Sequence, residues 1–422
     1  MPTRLWNYVV LTTVLVAVVM SGILMSPLAH AKDEMRTFDL DRILDLALER
    51  NPAIASARSV IEQNEGMRTQ AGAYLNPTVG YQTANGLIRD PSNGDNKIEH
   101  NITVYQPVEY PGMRAARQDA AAAGLASATV GLDVAKLNLI AEVKQGFYEL
   151  LLAERTVDLL QQNLEIVQEV ARIVKARVRT GEGPQFEAVK AEVEVLKAKQ
   201  EMTKAKNVVR VKLVGLDTLT SGALGSRYKV QGDFRMLRDH LDAEQLAARD
   251  PAQHPILQRH GKLVEQAEFT VSKERQGRVP NVTLWGGFAR EIGREAVLGG
   301  LSVPTPVWYQ QQGHIATALG SQRKEEAELI RARNDILRAI NQHAREAETA
   351  QDQILVYEEG LIKQAQEALR IAQLSFRQGA SSLLDVLDAQ RVQRQITVDY
   401  NQARFELSLA LTRFERAVGG PL

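Results

Sequence analysis

The sequence predicts a mainly α-helical fold with a small β part, built as a tandem duplication. Pro52 and Pro77 in the first half recur at the same spacing as Pro255 and Pro280 in the second. No proline interrupts residues 112–180, and aromatic residues make up only 5% of the chain, as expected for long coiled-coil helices rather than a compact enzyme. Four short runs alternate apolar and polar side chains, which indicates strands. A duplicated unit suits a molecule that uses one structure twice around an axis.

The amino terminus has the pattern of an export signal. Arg4 is followed by an uncharged, mostly apolar stretch at 8–25 and by the small-residue cleavage pattern Ala29-His30-Ala31. We therefore expect residues 1–31 to be a signal peptide. The alternative is an uncleaved anchor, since about 18 apolar residues just cross a bilayer. No second apolar run of that length is evident, so a helical membrane protein is not expected.

Composition excludes several classes of function. The chain contains no cysteine, which removes disulfides, thiol catalysis, cysteinyl metal sites and a lipid-modified cysteine. Lysine plus arginine equals aspartate plus glutamate, at 51 each. A balanced charge argues against nucleic acid as a partner.

The first repeat is predicted to span residues 32–214. A helix near 39–73 leads through two strands to a long helix at 112–180, which would be a rod on the order of 100 Å. Its later part has the three-and-four stepping of a coiled-coil seam, at Leu164, Val167, Ala171, Val174 and Val178. Gly181 should end this rod, and Pro184 should start a returning helix at 185–214.

A linker at 215–250, in which we find no motif, separates this unit from a second repeat at 251–418 and a tail at 419–422. The second repeat should place a helix at 243–277 and a rod at 320–378 with a seam at Ile362, Ala365, Leu369, Ala372 and Phe376. Gly379 should end the rod, and Ser382 with Asp385 has the spacing of a capping pair that starts the returning helix. Both returning helices are about half as long as the rods, so the helices at 39–73 and 243–277 should stack end to end with them.

Two strand pairs are predicted, at 79–84 with 98–105 and at 282–289 with 297–303. Each run has the length and alternation of a tilted membrane-spanning strand. Four strands in lipid leave two open edges, so a membrane location requires identical neighbours, and three copies would close a barrel of twelve strands. The alternative is an ordinary soluble sheet packed on the helices.

The second turn, residues 376–390, resembles the periplasmic tip of the TolC-like outer-membrane efflux family, and the order of elements resembles that family over nearly the whole mature chain. The resemblance implies a homotrimer in the outer membrane of a Gram-negative bacterium, with a twelve-stranded β-barrel continuous with a long periplasmic α-helical barrel. It also implies two protein partners, a periplasmic adaptor and an inner-membrane pump of the RND type, and no enzymatic activity.

The same resemblance suggests roles for individual residues. Asp385 and Asp388 would form the channel-mouth gate, although acidic residues in a first helical turn also suit the helix dipole. The arginine and glycine of each turn would dock the adaptor, although they also suit helix ends and solvated positions: these are Arg179, Gly181, Arg377 and Gly379. The seven histidines are scattered, and the chain shows no phosphate loop or nucleophile motif, so no catalytic residue, metal site or cofactor is expected.

The cargo is suggested by the segment that follows Pro107. Residues 108–114 resemble the heavy-metal branch of the family, with Met113 where that branch usually has lysine. We therefore expect export of cobalt, zinc or cadmium cations. A channel for drug efflux or type I protein secretion stays open as an alternative, as do a periplasmic adaptor and an exported enzyme.

Overall fold

The computed structural model describes residues 36–86, 97–237, 253–291 and 294–421. The expected signal peptide, the surface loop that contains Asn93-Gly94 and part of the linker lie outside these residues.

The first half contains a short strand, two short helices, a strand pair, the long rod and the returning helix. They are β1 (Arg36–Phe38), α1 (Leu40–Arg50), α2 (Pro52–Gly72), β2 (Thr78–Gly86), β3 (Lys97–Val108), α3 (Pro111–Arg179) and α4 (Gln185–Leu219). The helix expected at 39–73 is two helices, because Asn51 is extended and its side chain caps α2 by accepting from the Ala53 N–H at 2.8 Å. Asparagine favours this N-cap conformation over the helix interior.

The second half has the elements β4 (Tyr228–Val230), α5 (Pro255–Gln276), β5 (Val282–Glu291), β6 (Arg294–Ser302), α6 (Gln312–Val356), α7 (Ile362–Arg377) and α8 (Leu383–Val418). The unbroken rod expected at 320–378 is wrong in two respects. It begins earlier, at Gln312, and a π-helical turn at Tyr357–Leu361 separates α6 from α7. Tyr400 of α8 donates to Glu358 Oε1 inside this turn at 2.8 Å, so a contact from another helix stabilises the irregularity.

Both predicted seams are confirmed. In α3 the side chains of Leu164, Val167, Ala171 and Val174 are buried. In α7 the side chains of Ala365, Leu369 and Phe376 are buried. The two rods therefore bury apolar stripes at coiled-coil spacing against their neighbours.

The four long strands form one antiparallel sheet in the order β2-β3-β5-β6. Its register aligns Tyr81 with Ile102, Ile102 with Phe288, and Phe288 with Val297. All four side chains are exposed and lie on the same face, because every register pair shares a face. The predicted alternation is thus correct across all four strands and gives one continuous apolar face.

Helix ends meet as the length argument predicted. Asn51 Nδ2 at the start of α2 donates to the carbonyl oxygen of Leu219, the last residue of α4, at 2.8 Å. In the second half, His254 precedes α5 and its Nε2 lies 3.4 Å from the carbonyl oxygen of Arg416 near the end of α8. Both returning helices are therefore extended by the helix that begins at the repeated Xaa-Pro pair.

The described part of the linker is built into the helical body. β4 pairs in parallel with β1, which joins segments almost two hundred residues apart. Glu415 of α8, which is buried, accepts from Lys144 at 2.6 Å and from Arg235 at 2.8 Å. Burial raises the pKa of nearby Tyr148 to about 12. The charged cluster of Glu415, Lys144 and Arg235 connects α8, α3 and the linker. The sequence pattern did not reveal this role.

Among the described helices, α3 is long and apolar enough to cross a membrane by length and composition. Every 18-residue window of α3 contains a charged residue, so this helix is not a second uncharged run like the one at the amino terminus. The amino-terminal part of α3 is alanine-rich, which raises its hydropathy without large side chains. Part of it lies against α5, where a Cβ on Gly124 would come within 2.8 Å of Gln266 Nε2.

Candidate functional site

Two glycine turns close the ends of the rods, and we call residues 179–184 and 377–382 the paired turns. Gly181 has φ +78° and Gly379 has φ +79°, the left-handed conformation that glycine adopts without strain. The Glu182 N–H donates to the Arg177 carbonyl oxygen at 2.9 Å, and the Ala380 N–H donates to the Ser375 carbonyl oxygen at 2.8 Å. The two turns therefore end their helices with the same backbone hydrogen bond.

The returning helices begin differently. Ser382 and Asp385 form a capping box at the start of α8, in which Asp385 Oδ2 accepts from the Ser382 N–H at 2.8 Å. Pro184 precedes α4 without a side-chain cap. The capping pair predicted from the sequence is confirmed.

Arg177 joins the two turns. Its Nη2 donates to the carbonyl oxygen of Phe376 at 2.5 Å and to that of Arg377 at 3.3 Å, and its guanidinium lies 4.7 Å from the centre of the Phe376 ring. The sequence reasoning named Arg179 and Arg377 but missed Arg177. A basic residue in the last turn of a helix, where carbonyls lack partners, is the signal that points to it.

An apolar cluster from four helices lies beneath the paired turns. It consists of Val170, Ala171 and Val174 of α3, Ala188 and Ala191 of α4, Phe376 of α7, and Leu383, Val386 and Leu387 of α8. Because these side chains are buried together, the turns form one packed end rather than two separate loops.

The named arginines are exposed at this end. Arg179 Nε donates to the Lys175 carbonyl oxygen one turn back in its own helix, at 3.3 Å. Arg377 is exposed, and its backbone carbonyl accepts from Arg177. Arg377 also lies near Glu169 of α3 and interacts with it electrostatically, whereas the hydrogen bond of the Arg179 side chain stays within its own helix.

Asp385 and Asp388 are both exposed on α8. Their spacing of three residues places them on one face of the helix, as predicted. Hydrogen bonds from the Ser382 backbone N–H and then from the Ser382 hydroxyl hold the pKa of Asp385 below its usual value of 3.8. Asp388 instead lies 3.3 Å from Arg391 on the same helix. Asp385 is therefore committed to the cap, while Asp388 makes only an exposed ion pair.

A polar layer crosses the helices about two to three turns from the cap. Gln390 Nε2 donates to Asn163 Oδ1 between two buried side chains, and Arg394 of α8 lies 2.7 Å from Glu201 of α4. These residues border a polar cavity of about 180 Å³. A buried polar pair in a coiled coil specifies register, so this layer sets how α8 aligns with α3.

Metal-binding geometry is not found in the part of the chain that the structure describes, where no three His, Asp or Glu side chains cluster as ligands. The paired turns and the first turns of α8 offer exposed arginines, exposed carboxylates and two glycines in the left-handed conformation. Such an end suits recognition by another protein or the passage of ions better than covalent chemistry.

The sequence profile of the family described as outer membrane efflux protein matches residues 43–222 and 251–420. The chain belongs to this family. Its members are channels rather than enzymes. The protein is accordingly an outer-membrane efflux channel of a Gram-negative bacterium, which extends into the periplasm and works within a tripartite system. The alternatives of a periplasmic adaptor and an exported enzyme are thereby set aside.

The chain is similar to two curated proteins in sequence and to one solved channel in fold. The chain is 24% identical over 382 residues to the cobalt-zinc-cadmium resistance protein CzcC of Cupriavidus metallidurans, covering 90% of each. It is 24% identical over 410 residues to the pyoverdine export outer membrane protein OpmQ of Pseudomonas putida, covering 90% of this chain and 86% of OpmQ. The solved outer membrane channel CmeC of Campylobacter jejuni superimposes with a TM-score of 0.75 at 18% identity, covering 90% of this chain and 85% of CmeC.

Proposed function

We propose that three copies of this chain form a passive exit duct, in which twelve strands close a β-barrel in the outer membrane and the long helices close a second barrel in the periplasm. One observation carries the proposal. The sheet β2-β3-β5-β6 has one continuous apolar face, yet its outer strands β2 and β6 each have an edge that no other described strand pairs with. In lipid such edges must be paired, because each unsatisfied backbone group there costs several kcal/mol.

Twelve strands fit a duct better than eight. A barrel of about eight strands is filled by its own side chains, whereas a larger one encloses an aqueous channel. The family profile matches the chain twice, which supports a tandem duplication with repeats at 32–214 and 251–418, a linker at 215–250 and a tail at 419–422. A protomer with two similar halves lets three copies line a duct with six similar units.

Cysteine cross-linking tests the trimer, because the native chain contains no cysteine. One variant should carry Val79→Cys on β2 and Leu301→Cys on β6. A second variant should carry Val79→Cys and Val297→Cys, which tests another register between neighbouring copies. These strands lie at opposite ends of the sheet, so oxidation should link neighbouring copies and give a ladder that stops at three.

The matched control is Tyr81→Cys with Ile102→Cys, which are register partners in one protomer and should form a disulfide without a ladder. The trimer is refuted if the control pair reacts while every β2–β6 pair leaves the chain monomeric.

The paired turns are proposed to dock a periplasmic adaptor through Arg179, Gly181, Arg377 and Gly379, with an inner-membrane pump of the RND type supplying energy. The support is their shared backbone conformation and the exposure of both arginine side chains. Arg377→Ala and Arg179→Ala should each reduce recovery of the adaptor after in-cell cross-linking. Exposed Arg370, which pairs with Glu367 away from the turns, provides the control substitution to alanine.

Asp385 and Asp388 are proposed to face the channel mouth and favour cations. Three protomers would place six carboxylates around one opening, and rings of carboxylates are selective for cations. Replacement of both by asparagine should lower the cation-to-anion permeability ratio of the reconstituted channel. An unchanged ratio would place the mouth elsewhere.

Heavy-metal cations of the cobalt, zinc and cadmium type are the proposed cargo. The support is the similarity to CzcC, together with the segment 108–114. OpmQ, which is named for pyoverdine export, supports a siderophore as one alternative, and a drug is the other alternative that we consider. Deletion of the gene in its own host should lower the tolerated concentrations of the three metals and leave tolerance of lipophilic drugs unchanged. The opposite pattern would favour the alternative.

A further inference from the structure

One loop at the helical edge of the sheet is exposed over nearly its whole length and contains no charge. Residues 303–310, between β6 and α6, are all exposed, and the ring of Trp308 is 93% exposed. Its neighbour Val307 is 66% exposed. No aspartate, glutamate, lysine or arginine occurs between Glu295 and Arg323. An indole ring that is almost fully exposed in an uncharged loop is expected to contact lipid or another chain, because its own protomer does not cover it.

The loop continues the apolar face of the sheet. Leu301, two residues before the loop, is 67% exposed and lies on the same face as Phe288 and Val297. If that face contacts lipid, as the proposed function requires, the chain leaves the hydrocarbon region at Ser302 and reaches the headgroup region within the next few residues. Pro304 and Pro306 restrict the backbone there, so the loop holds Trp308 in place at a small entropic cost.

Two tyrosines, Tyr74 and Tyr105, also lie near this edge of the sheet. Thr78, which starts β2, pairs with Tyr105, and Ser302, which ends β6, pairs with Thr283, so these strand ends share one edge of the sheet. Tyr74, four residues before β2, is 75% exposed.

Three charged groups near this edge have partners within the protomer, whereas Arg278, four residues before β5, is exposed. Arg114 stacks 3.9 Å from the ring of Tyr74 and donates to the Gly72 carbonyl oxygen at 2.6 Å. Glu109 and Arg117 form an ion pair at 2.8 Å in which the carboxylate is largely buried. The opposite edge is charged and exposed, with Arg290 paired in register with Glu295.

We propose that residues 303–311 form a membrane-interface anchor, with the Trp308 ring in the lipid headgroups of the periplasmic leaflet, so that this loop fixes the depth of the sheet in the bilayer. Indole is amphipathic, and tryptophan is enriched at membrane interfaces for that reason. The anchor rests on the proposed barrel, because only a membrane-spanning sheet brings this edge to the headgroups. A neighbouring copy of the chain is the rival occupant, since Trp308 follows the edge strand β6.

Fluorescence quenching in lipid vesicles tests the proposal. The full-length chain with Trp6→Phe and Trp285→Phe keeps Trp308 as its sole tryptophan. It should be reconstituted in phosphatidylcholine vesicles brominated either near the headgroup or near the chain ends. Headgroup-proximal bromines should quench Trp308 by at least about twofold more than deep bromines, because the ring lies at the interface. Aqueous acrylamide should quench it less than it quenches free tryptophan.

A second reporter separates the anchor from the barrel. Phe288→Trp, in a chain with Trp6, Trp285 and Trp308 all changed to Phe, places an indole on the apolar face of β5 and should be quenched best by deep bromines. If this reporter responds and Trp308 is quenched only by acrylamide, the anchor is refuted and the barrel stands. If Trp308 is shielded from both bromines and acrylamide, it packs on a neighbouring copy, which also refutes the anchor. If neither reporter senses brominated lipid, the barrel and the anchor both fail.

Substitution gives a third arm. Trp308 is so exposed that Trp308→Ser should leave the protomer folded. The Phe288→Trp reporter chain can carry Trp308→Ser or Trp308→Tyr in place of Trp308→Phe. Trp308→Ser should change the ratio of quenching by deep bromines to quenching by headgroup bromines at position 288. Trp308→Tyr should preserve this ratio. Equal ratios with Ser and Tyr would show that the loop does not fix depth.

Discussion

Arg177 of the first rod donates a hydrogen bond to the carbonyl oxygen of Phe376 at the end of the second rod, and its guanidinium lies 4.7 Å from the Phe376 ring centre. The bond connects two helix ends that are 199 residues apart in sequence. Without this bond, each rod could end in its own glycine turn independently of the other rod. Arg177 therefore makes the paired turns move as one unit.

Replacement of Arg177 should loosen this unit. Arg177→Met leaves the Phe376 carbonyl without its partner and should lower local stability by about 1–2 kcal/mol. Hydrogen exchange should accelerate at the amides of Gly379 and Ala380, whose bonds close the second turn. Arg179→Met is the matched control and should leave these rates nearly unchanged, because that side chain bonds only within its own helix. Equal acceleration in both variants would contradict the bridging role.

The two aspartates of α8 should respond differently to the same substitution. Asp385→Asn weakens the acceptor of the Ser382 N–H and should speed exchange of that amide, whereas Asp388→Asn should leave it unchanged. Because the pKa of Asp385 is lowered in the folded protein, its ionised form stabilises the cap above the usual pKa of 3.8. This stabilisation is lost as pH falls from 3.8 through the lowered pKa. Exchange at Ser382 should therefore rise in that acidic range in the native chain and not in Asp385→Asn.

Local patterns in the sequence predicted much of this molecule. The alternation of Tyr81, Ile102, Phe288 and Val297 predicted the apolar face, because side-chain direction in a strand depends only on position. Seam positions and glycine-ended helices were predicted correctly for the same reason.

Contacts between distant segments could not be predicted in this way. The Arg177 bridge, the pairing of β1 with β4, and the Glu415 cluster each join segments that only tertiary packing brings together. The hydrogen bond from Tyr400 of α8 into the π-helical turn before α7 is likewise a contact between distant segments. At the candidate site, the sequence predicted the glycine-ended turns and the capping box, but it did not predict that Arg177 connects the two turns.

The repeated Xaa-Pro pair should make one half of the protein more sensitive to pH than the other. His254 Nδ1 accepts from the Ile256 N–H at 3.2 Å, as Asn51 Oδ1 accepts from Ala53. Burial lowers the pKa of His254 below 6.5, so the neutral ring that caps α5 stabilises the fold fully above 6.5. That contribution declines as pH falls from 6.5 through the lowered pKa, since the unfolded state then binds more protons.

His254→Asn should remove this dependence, because asparagine caps without titrating at these pH values. The measurement is exchange of the Ile256 amide between pH 7.5 and pH 5, corrected for intrinsic rates. Asn51→Ala is the control and should cost about 1 kcal/mol at α2 without a matching pH slope. A slope that persists in His254→Asn would assign the titration to another group.

Adjacent glycines in β5 should tolerate alanine unequally. A Cβ on Gly287 would lie 2.5 Å from the backbone oxygen of Ile102 in the neighbouring strand, whereas one on Gly286 would lie 3.7 Å from the oxygen of Leu298. Backbone cannot yield without breaking the β3–β5 ladder, so Gly287→Ala should reduce the yield of folded, heat-resistant oligomer severalfold. Gly286→Ala has the same change in backbone entropy and should assemble normally. Gel mobility of unheated samples in mild detergent measures both, and normal assembly of Gly287→Ala would show that the sheet tolerates a wider strand spacing at this point.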